Sequence, residues 1–171
     1  MLTLLGPLWA KAVALLSFYE QALAIARELG YIRGEGNQLA NMGSAWLDLG
    51  EPHRAIEFCE QALVISREIG DKRGEGANLG NQGIAGATLG ELPRAIEHYE
   101  HALIMFREIG DKRGEGINLF NLVRSLRKIG SAAEKQDAMA LAEEALAILK
   151  IIELPRVETV EAKLAEWQAE K

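Results

Sequence analysis

Few side chains in this sequence are suited to chemistry, and their spacing limits what each can do. His98 and His101 stand three apart on a helical pattern with Glu97 and Glu100 beside them, a spacing that could hold a metal ion. One repeat earlier the matching positions are Phe58 and Gln61, so the pair reads as a solvated helix face and no metal site is expected. Cys59 is the single cysteine, which excludes an intrachain disulfide framework and points to a reducing compartment. It occupies the position that Tyr99 takes in the next copy, so a small buried side chain is expected there. Three Arg-Gly-Glu-Gly runs, ending at Gly36, Gly76 and Gly116, are rich in glycine but follow helical rather than strand patterns. They are expected to serve turns, not to cradle a phosphate. The sequence holds no phosphate loop, no paired-cysteine zinc motif and no nucleophile elbow, so neither catalysis nor a cofactor is expected.

A second kind of chemistry is recognition. Asn41, Asn81 and Asn121 recur at one place in successive copies of a repeat. Asparagine forms helices poorly, so its return at mid-helix needs a reason. One reading has it bonding a neighbouring turn and setting the angle between units. The other has it clamping a peptide backbone, since one amide both donates and accepts.

The elements that carry these residues follow from repetition. Arg-Glu-Ile-Gly-Asp-Lys-Arg-Gly-Glu-Gly appears unchanged at Arg67–Gly76 and at Arg107–Gly116, with a looser copy at Arg27–Gly36. A fixed period of this size marks stacked copies of one supersecondary unit. Within a unit, Ala77–Leu89 lacks proline and is followed by Gly90, and Pro93 fits the first turn of the next helix. Arg94–Ile109 carries Ala95, Ile96, Tyr99, Ala102, Leu103 and Phe106 at the three-and-four spacing of a helix packed on one side. Gly110 ends it and Asp111 is placed to cap the next helix. No useful stretch alternates with period two, which excludes propeller blades. The unit is helix, turn, helix, turn.

The residues at the crossing resemble the tetratricopeptide repeat. Leu79, Gly83, Leu89, Gly90, Ala95, Tyr99 and Ala102 fall at that motif's small and large positions, as do Leu39, Gly43, Trp46, Leu49, Gly50, Ala55, Cys59 and Ala62. The third copy keeps Leu119, Leu126 and Gly130 but has Val123 in place of the glycine. Small residues there let two helices approach while large ones fill the gaps beside them. The long period is similar to the subgroup of Pins-type spindle-orientation adaptors and kinesin light chains. The resemblance implies an all-α, right-handed α-solenoid of antiparallel helix pairs. A half repeat is expected at 8–29, helix pairs at 33–69, 73–109 and 113–152, and a capping helix at 155–170. Ser131–Asp137 is expected to form a looser loop, Pro155 to break the chain, and Val157, Val160, Leu164 and Trp167 to line the last helix.

The same resemblance implies a protein–protein interaction scaffold that holds a peptide in its concave face. Helical spacing then places Asn37, Ala40, Ser44, Leu47 and Asp48 beside Asn41, and Ala77, Gly80, Ile84 and Thr88 beside Asn81. Ile117, Phe120, Arg124, Arg127 and Lys128 accompany Asn121, with Phe120 and Ile84 as apolar pockets. The basic end favours acidic side chains or a terminal carboxylate on the partner. Co-chaperones of this family grip a carboxylate at the positions held here by Ala40, Ser44, Asn81, Ile117 and Asn121. Only Asn81 fits that pattern, so a chaperone-tail clamp is disfavoured. Two alternatives stay open: a ligand-sensing regulatory domain of a larger bacterial signalling protein, and a self-assembling module. For the latter, Leu2, Leu4, Leu5, Leu8 and Trp9 would pair copies into a homodimer.

Composition agrees with such a protein. At 171 residues, about four units fit; apolar residues make up 49% and net charge is −6, with no Lys/Arg run, so nucleic acid is not an expected partner. No stretch approaches the roughly 18 apolar residues of a membrane span. The apolar start has no basic residue before Lys11 and no evident cleavage site, so a cytoplasmic location is expected.

Overall fold

The computed structural model describes residues 6–130, 132–151 and 157–169, excepting the side chains of 6–9, 132–135, 137, 159 and 168. Among the described residues all regular structure is helical: α1 (Gly6–Glu28), α2 (Ile32–Asp48), α3 (Pro52–Glu68), α4 (Lys72–Leu89), α5 (Leu92–Glu108), α6 (Lys112–Ile129), α7 (Ala132–Ile151) and α8 (Val157–Ala169). Consecutive helices pack on one another, and α2, α4 and α6 also touch in turn along the stack. The architecture is an all-α right-handed solenoid of antiparallel helix pairs.

The turns explain where helices stop. At Gly70 and Gly110 the backbone takes φ of 67° and 69°, a left-handed conformation that only glycine adopts at little cost. The chain then folds back so that the Asp71 N–H donates to Ser66 O (2.8 Å) and the Asp111 N–H to Phe106 O (2.9 Å). The Asp71 and Asp111 carboxylates accept the Gly74 and Gly114 N–H groups at 3.0 and 3.1 Å, capping α4 and α6. Pro52 and Pro93 stand in the first turns of α3 and α5, where a missing N–H costs nothing.

The Arg-Gly-Glu-Gly runs do not serve turns: each lies inside the first turns of α2, α4 or α6. Their glycines answer to packing. A Cβ on Gly36 would lie 2.8 Å from the Ile65 side chain, and one on Gly76 3.0 Å from the Phe106 ring. The charges of the repeated string serve the same joints. Arg27–Glu35 (2.8 Å), Arg67–Glu75 (2.7 Å) and Arg107–Glu115 (2.9 Å) bridge each turn, while Arg33–Asp71 and Arg73–Asp111 (both 3.1 Å) tie successive units. Most are exposed and contribute about 0.2–1 kcal/mol each. Glu115 differs: it is 3% exposed and held by both Arg107 and Lys112. An identical decapeptide thus reflects an identical joint.

Inside each pair the crossing depends on one small residue. A Cβ on Gly43 would come 2.5 Å from Cys59 Sγ, and one on Gly83 2.5 Å from the Tyr99 ring. In the third pair the sizes are exchanged. Val123 is fully buried in the same apolar cluster as Ala138 and Ala142. The core runs on through these crossings from Leu16 and Leu23 at one end to Trp167 at the other.

Beyond Gly130 the expected loop is absent from residue 132 onward, because α7 already begins at Ala132. Helix α8 sets Val160, Leu164 and Trp167 against Phe120, Val123 and Leu149, and Lys150 pairs with Glu161 at 2.7 Å. Pro155, residues 1–5 and the side chains of Leu8 and Trp9 lie outside the described residues.

Candidate peptide-binding groove

The first helices of the three pairs, α2, α4 and α6, present the residues expected to bind. Six of these meet at one place. A cavity of about 410 Å³ between α4 and α6 is lined by Ile84, Ala87, Thr88, Ile117, Asn121, Arg124, Ser125 and Lys128, with Tyr99 of α5 also in its wall. Ile84 and Ile117 supply apolar surface, Asn121 an amide, and Arg124 and Lys128 positive charge. No carboxylate is among the lining residues. The guanidinium of Arg124 also sits 5.9 Å from the Phe120 ring centroid. Burial raises the Tyr99 phenol well above its ordinary value, and the nearby Arg124 charge offsets this only in part, so the hydroxyl stays protonated.

The asparagine track does not repeat its environment. Asn41 is exposed on α2, Asn81 is half-buried, and Asn121 is 9% exposed. Asn81 hydrogen-bonds the Cys59 thiol on α3. That contact belongs to the joint between units, so Asn81 is engaged within the protein. Burial, against the pull of this hydrogen bond, pushes the thiol up to about 12 and leaves it protonated. Asn37 and Ser44 are exposed on α2, outside the cavity.

Two expected groove residues are placed elsewhere. Phe120 is 7% exposed and packs into the cluster containing Val160, Leu164 and Trp167 of α8. The Arg127 guanidinium lies over the Trp167 ring, 4.6 Å from its centroid. The reason is register: a Cβ on Gly80, one repeat before Phe120, would lie 2.7 Å from Asn118 Oδ1 on the next first helix. Gly80 and Phe120 therefore face the following unit rather than a ligand, and where α8 takes the place of that unit a phenyl ring fills the gap.

Sequence reasoning missed a second asparagine track. Asn78 and Asn118 are buried and donate their amides to Gly74 O (2.9 Å) and Gly114 O (3.0 Å), stitching the glycine-bearing first turns of α4 and α6. The signal was available, since the two recur at the same interval as Asn81 and Asn121, with Gln38 in the first copy. Tyr99 and Ser125 were missed as lining residues because one sits on a second helix and the other follows Asn121 by one turn.

The remaining candidates are ordinary surface or core residues. His101 is exposed, and burial, aided by Arg94, holds half-buried His98 below the ordinary imidazole value. Among the described residues no group of three or more His, Cys, Asp or Glu could hold a metal, and no helix is long and apolar enough to cross a membrane.

Helix pairs crossing at small residues, stacked at a fixed period and joined by repeated capped turns, define a solenoid of the helical-repeat class. Residues 37–108 match the tetratricopeptide repeat family, which supports that family for the repeats of this chain. A Podosopora anserina structure described as a kinesin light chain with nearly identical TPR-like repeats superposes with a TM-score of 0.70 at 18% identity. The match covers 92% of this chain and 78% of that one. BtubC (BKLC) from P. vanneervenii gives 0.76 at 18% identity, over 93% of this chain and 66% of its own. At such identity the similarity is one of fold. No curated protein matches the sequence.

Proposed function

We propose that this protein is a non-catalytic interaction module that holds a short acidic segment of a partner protein against α4 and α6. The observation that carries the reading is the cavity itself. Ile84 and Ile117 form an apolar seat, and Arg124 and Lys128 stand over it with no carboxylate among the lining residues. An apolar side chain flanked by an acidic one, or by a terminal carboxylate, is the complementary ligand. Helical repeats commonly use such surfaces for binding, and the family assignment supports the general role. The ligand is a peptide segment, not nucleic acid or membrane, and the cytoplasm is the compartment consistent with the single thiol.

A second reading, a domain that senses a small peptide ligand, is favoured by the cavity volume, which falls within the range of small-ligand sites. Selection from a displayed library of short peptides tests both. The proposed function predicts enrichment of acidic–apolar sequences on the intact protein and loss of that enrichment with Arg124→Glu/Lys128→Glu. Equal selection by both forms would move the site away from the cavity.

A further inference from the structure

Two polar side chains in the wall of the cavity between α4 and α6 are buried yet bonded to nothing in the protein. Tyr99 is 2% exposed and Asn121 9%. The other hydroxyls lining the cavity are taken up by their own helix: Thr88 Oγ1 donates to Ile84 O (2.8 Å) and Ser125 Oγ to Asn121 O (3.1 Å). Among the described residues the Tyr99 hydroxyl and the Asn121 side-chain amide make no hydrogen bond. Buried polar groups are ordinarily paired, because an unpaired one has lost its water without replacement. Two such groups in one cavity wall point to a ligand.

The preceding joint shows why this one is open. Cys59 and Asn81 stand one repeat before Tyr99 and Asn121, and there the amide bonds the thiol. Tyrosine in place of cysteine leaves the amide without that partner and adds a hydroxyl beside it. The cations are open too. Arg33, Arg67, Arg73 and Arg107 each bind a carboxylate, whereas Arg124 and Lys128 have none among the described residues. The Arg124 charge acts on the Tyr99 phenol, so these groups share one space.

A guanidinium, an ammonium, an amide NH₂ and a phenol O–H thus line the same cavity, with two positive charges and no carboxylate. A carboxylate would bring a single charge on two oxygens. A phosphorylated side chain brings roughly two negative charges and three strong acceptor oxygens, which matches both the cations and the donors. We propose that the segment held here is phosphorylated, its phosphoryl group lying among Tyr99, Asn121, Arg124 and Lys128 while a neighbouring apolar side chain sits on Ile84 and Ile117. This rests on the reading of the cavity as a peptide site. The apolar seat, which a free phosphate ion would leave empty, favours phosphate carried on a peptide. Binding is then switched on by modification of the partner.

Retention on the immobilised protein tests this with three degenerate peptide pools. They share random flanks and differ only at a fixed central residue: phosphoserine, glutamate or serine. One added charge-assisted hydrogen bond raises affinity about tenfold, so the phosphoserine pool should be retained at least about tenfold more than the glutamate pool. Tyr99→Phe/Asn121→Leu, which keeps the ring at the helix crossing, should bring that ratio close to one with unchanged helicity. Inorganic phosphate should displace the retained pool only at far higher concentration. Equal retention of the phosphoserine and glutamate pools above serine overturns the phosphoryl inference and leaves the acidic-ligand reading standing. Equal retention of all three pools overturns both. A phosphoserine preference that survives Tyr99→Phe/Asn121→Leu overturns the inference, as does displacement by inorganic phosphate at the peptide's own concentration.

Discussion

Two glycines three residues apart on α4 should respond to the same substitution with opposite signs. A Cβ on Gly83 would lie 2.5, 2.7 and 2.8 Å from three atoms of the Tyr99 ring. Carbon atoms settle at about 3.5–4.0 Å, so ring and helix must part by about 1 Å. Tyr99 is 2% exposed and a planar ring has no flexible end to retract, so the helices themselves must shift. Overpacking of this kind costs about 1–3 kcal/mol, while replacing a mid-helix glycine with alanine returns up to about 1 kcal/mol. Gly83→Ala is therefore expected to destabilise by up to about 2 kcal/mol. A Cβ on Gly86 would meet Ala95 at 3.5 Å, ordinary contact, so Gly86→Ala keeps the helical gain and should stabilise by about 0.5–1 kcal/mol. In a chain of this length 1 kcal/mol moves Tm by roughly 2–4 °C, so thermal melts followed by circular dichroism resolve the split. A double-mutant cycle with the ring completes the test. Tyr99→Ala alone should cost about 3–5 kcal/mol, and Gly83→Ala/Tyr99→Ala should cost at least about 1 kcal/mol less than the two single effects together. Shifts of the same sign at Gly83 and Gly86, or additive behaviour with Tyr99→Ala, would refute the claim that ring-to-backbone contact sets the crossing.

Further outcomes follow from the joints and the buried thiol. Asp71→Ala and Asp111→Ala should each lower stability by about 0.5–2 kcal/mol through loss of an N-cap, measured by denaturant melts, whereas Asp48→Ala, exposed at the end of α2, should change little. Burial raises the Glu115 carboxyl, but hydrogen bonds from Lys112 and Arg107 outweigh it, so its folded pKa lies below the ordinary value of 4.5. Its stabilisation is present above 4.5 and is lost as pH falls through the folded pKa, so the stability gap between the native chain and Glu115→Gln should shrink in acid. Cys59, buried and pushed up to about 12, should resist a thiol-titrating reagent in the folded protein at mildly alkaline pH and react fully in denaturant.

The fold was legible because its punctuation is local. Glycines at the helix ends and Asp111 before a helix announce stops and starts wherever they stand, and the small–large alternation of Gly83 and Tyr99 reports a crossing without knowledge of its partner. The Arg-Gly-Glu-Gly runs misled for a related reason. Glycine ordinarily interrupts helices, and only the positions of Ile65 and Phe106 show that here it makes room inside one. Phe120 and Arg127 could not be placed from the sequence because the repeat fails after Gly130. Their surroundings are set by α8, whose packing no earlier copy describes. Val123 was visible as a departure, but its compensation by Ala138 and Ala142 lies across a junction that shifts the register. The asparagines show the limit of periodicity itself. One interval carries both Asn78 and Asn81, yet the former stitches α4 to its own first turn and the latter reaches across to Cys59.

Whether ligand engages the cavity between α4 and α6 can be read residue by residue through amide and side-chain shift mapping in the isotopically labelled protein. An acidic–apolar peptide from the displayed-library selection would be titrated in. Perturbations are expected to centre on Ile84, Thr88, Ile117, Asn121, Arg124 and Lys128, with the Asn121 side-chain amide among the largest, and to disappear in Arg124→Glu/Lys128→Glu. Perturbations centred instead on Phe18 and Ile25 of α1, or on the exposed faces of α3 and α5, would contradict binding in the cavity.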